Sequence, residues 1–184
     1  MSSNLRGSLI NYEVYDTSNR MLGTASVDLM DLKFNTVDIA GAGVAGKMDL
    51  PIIGHTDALE LSLNWRTINT DVFKLAKQTG MDLNLYAASQ NLDNSTGESK
   101  VEQIKIAVRG LAKTTTLGKF EPASSTETKT VLEVFYIKIE IDGKKALELD
   151  KLNFVYWVDD TDYLKDVRTA LGITDSGLEV TAGF

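Results

Sequence analysis

The chain has 184 residues, no cysteine, one histidine and a formal net charge of −7. That composition excludes disulfide staples, thiolate zinc sites, cysteine nucleophiles and multi-histidine metal sites, and an acidic chain repels nucleic acid at long range. The length fits one domain with its own core, no apolar run nears the ~20 residues of a membrane helix, and residues 1–7 lack the apolar block of a secretory leader, so synthesis in the cytoplasm without a membrane anchor is expected.

Period-two alternation dominates, the mark of strands with one buried face. Residues 9–15 form the first run. Asp16, Thr17, Ser18 and Asn19 supply a turn, and a second strand over 21–29 is expected to pair back on the first. Residues 32–39 and 48–53 read as the arms of a long protruding hairpin over 32–53, with the return arm continuing toward Trp65 after a break at Gly54. Its tip carries Gly41, Gly43 and Gly46, too many glycines for a packed element. Apolar parity changes between Phe34 and Val37, which predicts a bulge near Asn35 or Thr36. In residues 59–66 the odd positions Leu59, Leu61, Leu63 and Trp65 are apolar, and the even positions Glu60, Ser62, Asn64 and Arg66 are polar. One face of this strand belongs in a core and the other in water.

A helix follows, capped by Asn69 or Thr70, with Val72, Leu75, Ala76 and Thr79 on one stripe and Gly80 as its stop. Residues 81–87 read as a strand, 90–100 as a polar loop, and 101–112 as a strand with Ile104, Ile106 and Val108 opposite Lys105 and Arg109. Residues 113–128, rich in Thr, Ser and Lys, read as an exposed, mobile connection. Strands over 131–141 and 146–157 flank an Asp142-Gly143 hairpin turn. A closing helix capped near Asp160 carries Leu164, Val167 and Leu171 before Gly172. The reading is a mainly β single domain over 1–172 with one or two short helices, followed by a C-terminal arm over 173–184.

Few motifs suggest chemistry. Gly41 to Gly46 has G-x-G-x-x-G spacing, but Pro51 would disrupt the helix that a dinucleotide site needs there, and no βαβ alternation surrounds it. A flexible hairpin tip is the better reading. His55 has Asp57 nearby but no matching nucleophile, so it reads as a turn histidine. Asp159, Asp160 and Asp162 lack calcium-loop spacing and suit a helix N-terminus. Lys100, Lys105, Arg109, Lys113 and Lys119 make a mildly basic stretch, by default a solvated strand face and otherwise a surface for an acidic protein. No catalytic, cofactor or metal-binding residue is assigned, and an enzyme is not expected.

Three stretches resemble the major tail tube proteins of contractile phage tails. They are residues 27–34 with the Gly41–Gly46 tip and Met48-Asp49-Leu50-Pro51; residues 135–143 with 147–153; and the closing Arg168-Thr169-Ala170-Leu171-Gly172. The resemblance runs from about Val27 to Gly172. It implies a β-sandwich or barrel-like subunit that forms hexameric rings, the strands of neighbours joining into one inner barrel around a lumen and the rings stacking into a tube. It implies as partners other copies of the chain, the sheath, tape measure, baseplate and terminator proteins, and DNA in transient passage, all in a virion tail or tail-like particle made in the host cytoplasm. A wall facing a wet lumen needs strands polar on one side and apolar on the other. Asp38, Lys47, Asp49, Glu60, Ser62, Asn64 and Arg66 are the candidates to face it, and Gly41, Gly43 and Gly46 the candidate inter-ring tip. The tube protein of type six secretion shares this architecture. A β-sandwich module binding protein or carbohydrate is the competing reading; it would need aromatics on loops, whereas most here, Tyr12, Tyr15, Trp65, Phe135, Tyr136, Phe154 and Trp157, are placed in strands.

Overall fold

The computed structural model describes residues 4–173. Its strands are β1 (Asn4–Asp16), β2 (Met21–Leu22), β3 (Thr24–Asp28), β4 (Phe34–Ile39), β5 (Met48–Thr56), β6 (Glu60–Trp65), β7 (Met81–Asp93), β8 (Ser99–Thr116), β9 (Thr128–Ile141), β10 (Lys144–Asp150), β11 (Val155–Val158) and β12 (Thr161–Asp162). Two short helices, α1 (Thr70–Leu75) and α2 (Lys165–Ala170), complete it. All strand pairs are antiparallel.

The pairings run in a circuit. β1 pairs with β7, β7 with β8, and β8 with β9. The first half of β9 pairs with β6, and β6 with β3. β3 continues through Gly23 into β2, which returns to β1 at Val14 and Tyr15. The inward positions of these strands meet in one apolar cluster that includes Val14, Leu22, Leu61, Leu83, Val108 and Leu132. The alternation of residues 59–65 carries through: Leu59, Leu61, Leu63 and Trp65 are all buried. Each such side chain contributes roughly 1.5–3 kcal/mol of burial. Trp65 Nε1 donates to Thr130 Oγ1 at 3.1 Å inside this core.

β9 serves two neighbours on one side. Residues 128–133 pair with β6, and residues 136–141 with β10. From β10 the sheet extends outward through β11 and β12.

Several boundaries differ from the sequence reading. The strand expected over 21–29 breaks at Gly23, and only its first two residues pair with β1; the rest pairs with β6. The arm leaving Leu32 becomes a strand only at Phe34. Gly54 does not break the return arm; β5 runs through it to Thr56, and the gap before β6 lies at Asp57, Ala58 and Leu59. The helix ends after one and a half turns, with Asn69 accepting from the N–H groups of Asp71 and Val72, so Thr79 and Gly80 lie beyond it. Residues 90–100 are mostly strand: β7 and β8 pair out to Leu92 and Ser99, and the polar residues Asn91 and Asp93 are buried there with hydrogen-bond partners.

The connection expected over 113–128 is partly ladder, since β8 continues to Thr116 against the start of β9. Thr126 and Thr128 are buried there, their hydroxyls 2.7 Å apart, with Thr128 donating to Leu117 O at 3.0 Å. The return arm over 146–157 folds back on itself. Asp150 accepts from the N–H groups of Leu152 and Asn153, an Asx turn that ends β10 and starts β11; this turn also holds Phe154, which is therefore not in a strand. Asp159 and Asp160, both at positive φ, make the turn between β11 and β12 instead of capping a helix. α2 begins at Lys165, with Asp162 Oδ1 accepting from Leu164 N at 3.1 Å. The C-terminal arm beyond Ile173 lies outside the described residues.

Candidate assembly surface

β4 and β5 form a two-stranded sheet of their own, joined to no other strand among the described residues. The register sets Val37 opposite Leu50 and Ile39 opposite Met48, and Asp38 opposite Asp49 and Thr36 opposite Pro51. Cross-strand partners share a face, so one face of the ribbon holds Val37, Ile39, Met48 and Leu50, and the other Asp38 and Asp49. Val37, Met48 and Leu50 are each more than two-fifths exposed. On the polar face Lys47 Nζ stands 2.9 Å from Asp38, and this hydrogen bond holds the Asp38 carboxyl below its ordinary pKa. The expected bulge is present: opposite Asn35, β5 carries four unpaired residues from Ile52 to His55.

The tip glycines have φ of +127°, +97° and +122° at Gly41, Gly43 and Gly46, a region that L side chains rarely enter. A strand follows, not a helix, so the G-x-G-x-x-G spacing serves a turn. The base of the hairpin is tied to the body. Phe34 meets Tyr156 edge-on at 5.5 Å between ring centroids. Lys33 pairs with Asp57 at 3.1 Å, and Lys151 Nζ donates to Asp57 O at 2.8 Å. Asp57 is thus engaged by lysines; His55 is an exposed strand residue of β5, not a turn histidine.

The polar residues of β6 sit on the other sheet. Glu60 is exposed and accepts from Lys113 Nζ at 2.6 Å, a contact that raises the Lys113 pKa. Lys113 also reaches Glu133 at 3.6 Å. Asn64, half-buried, donates to Ser26 Oγ at 2.9 Å and Asp28 Oδ2 at 3.2 Å. Arg66 is exposed. Ser62 departs from the expectation of a wet face: it is only 8% exposed, a short side chain on a strand flanked by both β3 and β9. The lumen candidates therefore fall into two groups, Asp38 and Asp49 on the ribbon with Lys47 just before β5, and Glu60, Ser62 and Asn64 on β6 of the main sheet with Arg66 just past it.

Each member of the basic stretch has an acidic neighbour: Lys100 with Asp93, Lys105 with Glu140, Arg109 with Asp82, Lys113 with Glu60 and Lys119 with Glu121. Sequence reasoning did not single out the exposed apolar residues of the first strand. Leu5, Leu9 and Ile10 on β1 are each more than half exposed. Adjacent apolar residues of opposite parity, Leu9 and Ile10, were the available signal.

The family described as phage tail tube protein FII matches residues 6–172. A tail tube protein of Escherichia phage P2 is 28% identical over 153 residues, covering 80% of this chain and 86% of that protein. Among solved structures, the sheath/tube terminator of the extracellular contractile injection system PVC, in its extended state, superposes with a TM-score of 0.51 at 13% identity, covering 71% of this chain and 94% of that one. The sheath–tube complex of the same system gives 0.49 at 13% identity, covering 71% and 88%. The first of these likenesses carries the fold. The family match passes through the ribbon, the main sheet and both helices, and so the chain belongs to the phage tail tube protein FII family, whose members are structural proteins and not enzymes.

Proposed function

We propose that this chain builds the inner tube of a contractile tail or tail-like particle by closing into hexameric rings that stack around a water-filled lumen. DNA passes through that lumen in a phage, and ions in a particle without a genome. The observation that carries the reading is the β4–β5 ribbon. Its apolar face is left uncovered by the other described residues, although burying such surface is favourable by about 25 cal/mol per Å². An amphipathic ribbon of this kind is a hazard in a solitary subunit and an assembly element in a ring.

With the apolar face on a neighbour, Asp38, Lys47 and Asp49 stay wet, and with Glu60, Asn64 and Arg66 they are the residues proposed to line the lumen. Paired charges of both signs there give a lining with little net attraction for DNA. The sheath packs outside, and terminator, tape measure and baseplate proteins meet the tube at its ends and within it. Negative-stain microscopy of the concentrated protein tests this. Hollow rods whose end views average to six-fold symmetry are expected. A monomer at every concentration overturns the tube; rods of another symmetry overturn the hexamer alone.

A further inference from the structure

Below Gly23 the main sheet is unzipped. β1 and β2 pair only at Val14 and Tyr15, and β3 pairs with β6 but not with β1. Between β1 and β3 this leaves an apolar slot of about 180 Å³. Leu85 and Ile106, both buried, form its floor. Leu9 and Leu29, each more than half exposed, stand in its lining with Val27 and Tyr12. The β3 edge that flanks it pairs with no strand among the described residues.

We infer that this slot is the seat of the β4–β5 ribbon of a second copy of the chain, which rests on the tube reading and names the surface that receives the hairpin. The two features answer each other. The ribbon presents Val37, Ile39, Met48 and Leu50 on one face, and the slot offers an apolar floor of matching chemistry. The ribbon's outer edges and the β3 edge beside the slot pair with no strand among the described residues, so backbone groups find partners as side chains are buried. Ribbon and slot lie on different parts of one subunit. The contact can therefore repeat head-to-tail from copy to copy, as a closed ring requires, and a reciprocal two-fold exchange of ribbons would instead stop at a dimer.

The absence of cysteine from the chain makes the test clean. Leu50→Cys and Leu29→Cys are combined in one chain, assembled and mildly oxidised. A ladder of covalent multimers that collapses on reduction is expected, with no more than dimers from either single variant. Leu50→Cys with Phe120→Cys, on an 88% exposed loop residue, is the control and is expected to stop at dimers. A ladder from the control pair, or rods that assemble with no ladder from the first pair, overturns the seat while leaving the tube intact. A ladder from Leu29→Cys with Leu178→Cys gives the slot to the C-terminal residues and likewise overturns it. Absence of any rings or rods before oxidation sinks the tube reading, and this inference with it.

Discussion

Gly54 and Leu164 pack so closely that a Cβ on Gly54 would stand 2.5 Å from Leu164 Cδ1. Gly54 has φ +70°, and Leu164 is buried at the start of α2. The unpaired stretch of β5 thus bends onto the end of the main sheet, and the hairpin acquires a fixed base. Gly54→Ala is expected to cost about 2 kcal/mol from the left-handed backbone alone, a fall in Tm of about 4–8 °C for a chain of this size. Gly80→Ala, with nothing within 4 Å, is the control and should leave the melt unchanged. Differential scanning calorimetry reads both.

Thr130→Val is expected to destabilise although it keeps the shape of the side chain. It removes the acceptor of the buried Trp65 Nε1–H, and an unsatisfied buried donor costs about 1–3 kcal/mol. Thr130→Ser keeps the acceptor and loses only one methyl, about 0.8 kcal/mol. Urea melts of the two variants should rank them in that order.

Arg168 is 4% exposed and donates to Phe154 O at 2.9 Å and Asp162 Oδ2 at 2.6 Å. It joins α2 to the β10–β11 turn and to β12. Truncating one partner of a buried pair costs about 3–5 kcal/mol, so Arg168→Ala should release the closing segment. Faster amide exchange over α2, with the main sheet still protected, is the expected signature.

Asp93 and Asp162 are among the carboxyls, with Asp16, Asp38 and Glu140, whose lowered pKa sets an acid limit on stability. The Ser95 hydroxyl and N–H, with Lys100, hold Asp93 down from 3.8 to about 2. Burial pushes Asp162 up, but hydrogen bonds from Arg168 and Leu164 N outweigh it, so its pKa is also lowered. A carboxyl with a depressed folded pKa adds stability above its unfolded value, and that stability is lost as pH falls through the folded value. The protein should therefore lose stability between about pH 4 and pH 2, with the window set by these shifts. Asp93→Asn should flatten that slope. A variant that kept the parent slope would remove Asp93 from the account.

Legibility in the sequence followed one-sided burial. Residues 59–65 and 101–112 were readable because one face is core and the other is not, and Asp142-Gly143 because a two-residue turn has its own chemistry. Residues 90–100 and 113–116 were misread because these strand ends carry mostly polar residues, Asn91 and Asp93 being buried through hydrogen bonds that leave no apolar alternation. The fold-back at Asp150 was hidden because an Asx turn rests on side-chain hydrogen bonds and not on glycine or proline. Among the candidate lumen residues Ser62 is nearly covered within the single chain, because alternation reports which face a residue lies on and not how far its neighbours overhang it. The slot between β1 and β3 could not be read at all, since it depends on which strands fail to pair.

β9 is hydrogen-bonded to β8 along most of its length, while its other edge is divided between β6 and β10. Through β6 it holds the part of the sheet from which the hairpin departs, and through β10 the part that ends in α2. Any hinge between those parts would have to cut across a continuous strand and shear its ladder. The body of the subunit is thus braced as one stiff plate, and compliance is left to the hairpin beyond its anchored base.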